Sequence, residues 1–122
     1  IINISSVLSL TTAGLPQAAY AASKAGLISL VKTLGRELAP ERIIVNAVAP
    51  GVIDTPQLQV DADAAGTDLA SIQAHYAETI PLARLGTSGE ISAAVELLAD
   101  FSMEAVVGQV ISCNGGTTRS RV

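Results

Sequence analysis

A tyrosine and a lysine stand four positions apart, as Tyr20 and Lys24, in a stretch rich in small residues. The stretch favours a helix, and positions four apart share one face of a helix. A phenol is mostly protonated at neutral pH, and a fixed ammonium one turn away favours its ionised form. The pair therefore predicts a tyrosine that can donate and accept a proton. The alternative is that the tyrosine and the lysine are an ordinary pair on a helix face with no catalytic role.

Two serines, Ser5 and Ser6, close an apolar run at the start of the chain. A hydroxyl at this point could steady a substrate oxygen beside the phenol. Both hydroxyls could equally satisfy backbone groups where a strand ends. From the residues alone, either serine fits either role.

The elements that must position these residues alternate between strand and helix. The patterns predict strands at 1–4, 43–49 and 106–113, a loop at 5–16, a long helix at 17–38 and a second core helix that begins at the capping box Thr87-x-x-Glu90. The long helix should bury one apolar stripe, formed by Leu27, Leu30, Val31, Leu34 and Leu38. Segment 52–80 is expected to be mobile, with a short helix at 69–76. This order predicts an α/β fold with a doubly wound parallel sheet.

The composition narrows the class of protein. The 122 residues are 49% hydrophobic and 15% charged with a net charge of -4, as expected for one globular domain. The lack of a basic stripe argues against nucleic acid, and no apolar run reaches the roughly 20 residues that span a bilayer. The single cysteine, Cys113, is expected to have only a packing role. Because it has no second cysteine to pair with, it favours a reducing, cytoplasmic compartment. The lone His75 argues against a metal site, and surface exposure is its expected state.

Three blocks follow one another at characteristic spacing: Ile1-Ile2-Asn3-Ile4-Ser5-Ser6, Tyr20-x-x-x-Lys24 and Val45-Asn46-Ala47-Val48-Ala49-Pro50-Gly51. Together they resemble the short-chain dehydrogenase/reductase family. The similarity continues through 80–86 and 108–116, where it is nearest to 3-oxoacyl-carrier-protein reductases. The resemblance implies the C-terminal, catalytic half of a Rossmann-like three-layer α/β/α domain over residues 1–122, with the N-terminal dinucleotide-binding half absent.

The resemblance also implies a function and a set of roles. The expected activity is hydride transfer between NAD or NADP, which are not distinguishable here, and a small alcohol or ketone. Tyr20 matches the general acid/base of the family, Lys24 its electrostatic partner and ribose ligand, and Ser6, rather than Ser5, the donor to the substrate oxygen. The coenzyme-binding positions carried over, besides Tyr20 and Lys24, are Pro50, Gly51, Ile53 and Thr55.

Further expectations concern substrate choice and assembly. Segment 56–79 matches the part of the family that selects substrate, and Tyr76, Gln73 and His75 within it are left without a role. Family members are mostly homodimers or homotetramers that pair through the long helix, where small residues such as Ala25 and Gly26 permit close packing. The alternative function is an inert fragment that acts only as a structural or oligomerisation piece.

Two positions depart from the family pattern near the end of the long helix. Arg42 replaces a usual glycine, and Ile44 replaces a common arginine. A third departure, Asn114, replaces a frequent aspartate before the last Gly-Gly. These changes bear on local geometry rather than on the chemistry.

Overall fold

A computed structural model describes residues 1–11 and 17–118. Its strands and α-helices are β1 (Ile2–Ile4), α1 (Ala18–Leu38), β2 (Asn46–Pro50), α2 (Gln57–Ala65), α3 (Leu69–Thr79), α4 (Ser88–Ala99) and β3 (Val110–Cys113). Short 3₁₀ turns lie at Val7–Ser9, Ala39–Glu41 and Phe101–Met103. Residues 12–16, most of the predicted first loop, lie outside the described residues.

The three strands form one parallel sheet in the order β1-β2-β3. Asn3 pairs with Ala47, and Val48 pairs with Ile111. The central strand β2 is buried from Asn46 to Ala49, because it has a strand on each edge and a helix on each face. The predicted α/β fold with a parallel sheet is confirmed.

Helices α1 and α4 cover opposite faces of this sheet. Val31 of α1 clusters with Val45 and Ala47 in the core. Leu98 of α4 instead shares a cavity wall with Ile2, whose register partner is Asn46. Successive side chains of a strand point to opposite faces, so the arrangement has three layers.

The apolar stripe predicted on α1 is partly wrong. Val31 is buried and Leu34 and Leu38 pack against the core, but Leu30 is 48% exposed. Gly35 lies inward, and a Cβ added there would lie 3.0 Å from the Gly108 Cα. A glycine contributes no apolar side chain to the pattern, so the sequence did not reveal this close backbone contact on the inward face of α1.

Segment 52–80 contains two helices where only a short one was predicted. Helix α2 buries Leu58 and Ala62, one turn apart, and ends at Gly66 in the left-handed conformation. Helix α3 starts at an Asp68 cap, whose side chain accepts from the Ser71 N–H at 2.8 Å. Polar residues on the outer face of α2 masked its narrow apolar stripe in the sequence.

The departure at Arg42 has a structural counterpart. Arg42 ends the 3₁₀ turn after α1 with φ of 58°, in the left-handed region. Glycine takes this conformation without penalty, whereas a residue with a Cβ does not. The loss of glycine therefore leaves local strain at the entrance to β2.

Asn46 has the structural role that an amide inside a buried strand requires. It is 1% exposed, its Nδ2 donates to the Val106 carbonyl at 2.6 Å, and its Oδ1 accepts from the Gln109 N–H at 2.9 Å. Both ends of the amide are therefore satisfied, and the side chain ties β2 to the segment that leads into β3.

Candidate active site

Tyr20 and Lys24 lie near the start of α1, beside the carboxyl end of β1. The Lys24 Nζ is 5.6 Å from the centre of the Tyr20 ring, within the range of a cation–π contact. The same Nζ donates a 3.0 Å hydrogen bond to the carbonyl of Ile4, the last residue of β1. The ammonium is thus held next to the phenol by a strand end, and Tyr20 remains 47% exposed.

The two serines make different contacts. Ser5 is 3% exposed, and its hydroxyl donates to the Lys24 carbonyl at 3.0 Å. The Ser6 hydroxyl accepts from the Leu8 N–H at 3.2 Å as the cap of the first 3₁₀ turn. A hydroxyl that accepts one bond can still donate its own proton. Ser5 therefore fixes α1 to β1, whereas Ser6 keeps a donor for another oxygen.

Ser6 and Tyr20 line one cavity of about 690 Å³ at the carboxyl ends of β1 and β2. This tyrosine-side cavity is walled by Ser6, Val7, Leu8, Gln17, Tyr20, Gly51, Val52, Gln57, Asp61 and Tyr76. Ligands of open α/β sheets bind outside the carboxyl ends of the strands. The cavity therefore lies at the edge of the sheet where folds of this kind bind ligands.

Three side chains of this cavity had no role in the sequence analysis. Gln57 and Asp61 come from α2, where the Gln57 Nε2 donates to Asp61 Oδ1 at 3.1 Å, and Tyr76 comes from α3. The spacing of Leu58 and Ala62 was the signal that could have placed α2, and with it this polar wall. His75 is exposed, with its ring centre 5.8 Å from that of Tyr76.

The backbone around Ile53 is held in a short parallel bridge with Gly86. The Gly86 N–H donates to the Val52 carbonyl at 3.0 Å, and the Asp54 N–H donates to the Gly86 carbonyl at 2.9 Å. In such a bridge the flanking peptide groups bond the neighbour, so the N–H and C=O of Ile53 itself point away from Gly86. Neither group has a hydrogen-bond partner among residues 1–11 and 17–118.

The other predicted coenzyme positions lie close to this bridge. Gly51 lines the tyrosine-side cavity, and its N–H donates to the Cys113 carbonyl at 2.9 Å. A Cβ at Gly51 would lie 2.8 Å from the Asn114 Cα, so contact with the end of β3 already requires glycine there. Pro50 ends β2, and Thr55, half-buried, accepts from the Leu58 N–H at 3.0 Å through its carbonyl.

The Ile53 side chain points into a second cavity of about 270 Å³, which Arg84, Glu90 and Cys113 also line. Hydrogen bonds from Arg84 and Thr87 lower the pKa of Glu90 to about 2. Burial, with a smaller contribution from the Glu90 charge, raises the pKa of the Cys113 thiol. The carboxylate is therefore ionised and the thiol protonated at neutral pH.

Across residues 1–11 and 17–118, no three His, Cys, Asp or Glu side chains gather as metal ligands would. The helices found there are too short or too polar to cross a bilayer.

A helix-covered parallel sheet that carries Tyr20, Lys24 and Ser6 at its carboxyl edge defines a Rossmann-like α/β protein. A model of the family described as Enoyl-(Acyl carrier protein) reductase matches residues 1–118. The chain belongs to the short-chain dehydrogenase/reductase family.

Individual relatives agree with this assignment. The chain is 40% identical over 116 residues to the 3-oxoacyl-[acyl-carrier-protein] reductase FabG of Aquifex aeolicus, covering 95% of the chain and 44% of that protein. The solved aldohexose dehydrogenase of Thermoplasma acidophilum aligns with a TM-score of 0.90 at 30% identity, over 100% of this chain and 49% of that one. A 3-oxoacyl-[acyl-carrier protein] reductase with bound NAD from Brucella melitensis aligns with a TM-score of 0.78 at 33% identity, over 98% and 41%. The chain thus spans less than half the length of these relatives.

Proposed function

We propose that the protein carrying this chain transfers a hydride between NAD or NADP and a small alcohol or ketone. The observation that carries the proposal is the shared position of Tyr20, Lys24 and Ser6 at one strand edge, with Tyr20 and Ser6 in the same cavity. Family membership supports the same reaction class.

Tyr20 is the general acid/base in this proposal. In the direction of reduction, its hydroxyl gives a proton to the carbonyl oxygen as that oxygen gains negative charge, and in oxidation the phenolate takes the proton back. The Lys24 ammonium stabilises the phenolate that remains. The bond from Lys24 to the Ile4 carbonyl supports this role, since it keeps the cation in place without neutralising it.

Ser6 is the second donor to the substrate oxygen. Its hydroxyl borders the cavity and already accepts the Leu8 N–H, which leaves its proton to donate. The contrast with Ser5, whose hydroxyl is bonded to the Lys24 carbonyl and which does not line this cavity, supports the choice of Ser6.

The residues present fit a nicotinamide coenzyme. When bound, the nicotinamide supplies or accepts the hydride. Lys24 would hold the ribose, the free N–H and C=O of Ile53 would hold the carboxamide, Thr55 would add a hydroxyl, and Pro50 and Gly51 would border the ring. The fit rests on the two unpartnered Ile53 groups in the described structure, which match the acceptor and donor of a carboxamide.

Replacement of Tyr20 by phenylalanine tests the proposal. Tyr20→Phe in the protein that carries this chain should reduce kcat at least roughly 10²-fold, because the proton donor is lost. The affinity for NADH or NADPH, measured by calorimetric titration, should stay close to that of the parent. Tyr76→Phe, in the same cavity, is the matched control. Retained turnover in Tyr20→Phe would contradict the role.

A 3-oxoacyl thioester is a more specific candidate for the substrate. It is favoured by the similarity to 3-oxoacyl-[acyl-carrier-protein] reductases. Measuring kcat/KM for a short 3-oxoacyl thioester against a simple ketone of the same chain length would decide between them, and a preference for the ketone would exclude the candidate.

We also propose that the complete protein is a homodimer or homotetramer in the cytoplasm. The outward face of α1 supports assembly, since Ala25, Gly26 and Leu30 are exposed there and no described atom lies within 4 Å of a Cβ at Gly26. Sedimentation as a monomer at micromolar concentration would count against assembly.

Coenzyme binding distinguishes the proposed enzyme from the alternative, an inert fragment. We propose that residues 1–122 by themselves bind NADH and NADPH weakly or not at all, because they span less than half of the enzymes they resemble. Calorimetric titration of this chain and of the complete protein checks this. Absence of binding in both would favour the inert alternative.

A further inference from the structure

The carboxylate of Glu90 is bonded on both sides of Gly86. The Arg84 guanidinium donates to it from both terminal nitrogens, at 3.1 Å and 2.6 Å. The Thr87 N–H donates to its Oε2 at 2.8 Å, and the Thr87 hydroxyl lies 3.2 Å from the same oxygen. The Glu90 side chain therefore fixes Arg84, two residues before Gly86, and Thr87, the residue that follows it.

The backbone between these anchors is fixed further. Arg84 also donates to the Leu85 carbonyl at 2.9 Å. Ala83, just before, has φ of 55°, a left-handed conformation that a residue with a Cβ keeps only where its surroundings impose it. The Leu82 N–H in turn donates to the Gly115 carbonyl at 3.1 Å. The turn at 82–87 is thus held from α4 and from the end of β3.

Gly86 connects the 82–87 turn to the backbone around Ile53. Its N–H and C=O bond Val52 and Asp54, the two neighbours of Ile53. A Cβ at Gly86 would lie 2.6 Å from the Ile53 Cδ1, so the two segments are in close contact. Rotation of the 82–87 turn would therefore rotate the peptide groups of Ile53.

We propose that Glu90 is a positioning residue, which sets the Ile53 backbone for the nicotinamide carboxamide by clamping Arg84 and Thr87 around Gly86. The inference rests on the proposed function, because it requires that Ile53 contacts the coenzyme. Glu90 acts through the turn, and it lines the cavity behind Ile53 rather than the one that contains Tyr20.

The test, in the complete protein, compares the reduced coenzyme with its counterpart that lacks the nicotinamide: NADH with ADP-ribose, or NADPH with 2′-phospho-ADP-ribose if the protein prefers NADPH. Glu90→Gln should raise the Kd for NADH roughly tenfold, since small displacements of a positioning group are costly, and leave the Kd for ADP-ribose unchanged. At saturating coenzyme, kcat should also fall, because a misplaced nicotinamide transfers hydride less readily. Glu104→Gln is the matched control, because it breaks the Arg42 ion pair, at 3.5 Å, far from Ile53.

A second variant guards against a folding defect. Arg84→Ala keeps the Thr87 cap of α4 and should give the same selective loss of NADH affinity. An equal loss for NADH and ADP-ribose, or a loss no greater than in Glu104→Gln, would overturn the inference. If Tyr20→Phe removes turnover while Glu90→Gln behaves like its control, only the positioning role fails. If the parent protein has no affinity for either NADH or NADPH, the proposed function fails with it.

Discussion

At the scale of single residues, the contacts of two adjacent serines give them separate tasks. Both serines are buried, but Ser5 donates to the backbone of the helix that bears Lys24, whereas Ser6 borders the cavity that contains Tyr20. Residue type and position in the sequence did not separate them, and the family resemblance alone favoured Ser6. The structural difference supports that choice.

Alanine substitutions should separate the two serines. Ser6→Ala should lower kcat roughly 10²-fold, as loss of one donor to a developing oxyanion does. Ser5→Ala should lower the free energy of unfolding by about 1 kcal/mol, because a buried hydrogen bond is lost, with a smaller effect on kcat. Steady-state kinetics and denaturant unfolding of both variants check this. A greater kcat loss in Ser5→Ala would contradict the assignment.

At the scale of elements, helix ends follow local signals closely. The predicted capping box is present, with Thr87 and Glu90 bonded reciprocally at the start of α4. The long helix runs over Ala18–Leu38, almost as predicted. The turn after α1 is an exception, because it ends at Arg42, a residue with a Cβ, in the left-handed conformation.

Arg42→Gly should therefore stabilise the protein. Relief of the left-handed strain should raise the free energy of unfolding by about 1 kcal/mol, and the exposed ion pair with Glu104 contributes little that would be lost. The same change in the last turn of α1, Arg36→Gly, should instead cost up to about 1 kcal/mol, because glycine is a poor helix former. Denaturant unfolding of both variants measures the difference in sign, and destabilisation by Arg42→Gly would contradict the account.

Prediction from sequence succeeded for the elements with strong local patterns and failed for helix α2. Its two buried residues, Leu58 and Ala62, form too narrow a stripe to be distinguished from a polar loop. Because α2 was missed, Gln57 and Asp61 were not expected in the cavity with Tyr20. The position of Gly35 against Gly108 was missed for a related reason, since backbone packing leaves no apolar pattern.

At the scale of the whole molecule, the response to acid should depend on Glu90. Its hydrogen bonds with Arg84 and then Thr87 lower its pKa from 4.5 to about 2 in the folded chain. A lowered folded pKa contributes stability that is fully present above pH 4.5 and is lost as the pH falls toward 2.

Unfolding free energy measured against pH checks this. Glu90→Gln should lower stability at pH 7 and flatten the curve between about pH 5 and pH 2, because the titrating carboxylate is gone. Glu104→Gln should leave the shape of the curve unchanged in that window. A Glu90→Gln curve that is parallel to the parent curve would show that another group controls the acid response.

The sequence by itself determined the face shared by Tyr20 and Lys24, the cap of α4 and the parallel α/β alternation, because each depends on residues a few positions apart. Family motifs extended this to an expected chemistry. Only the tertiary structure decided that Ser6 borders the cavity while Ser5 bonds the backbone of α1, and that Gly86 holds the backbone around Ile53. Those relations join segments distant in the chain, and their geometry is set by how strands and helices pack rather than by any local preference.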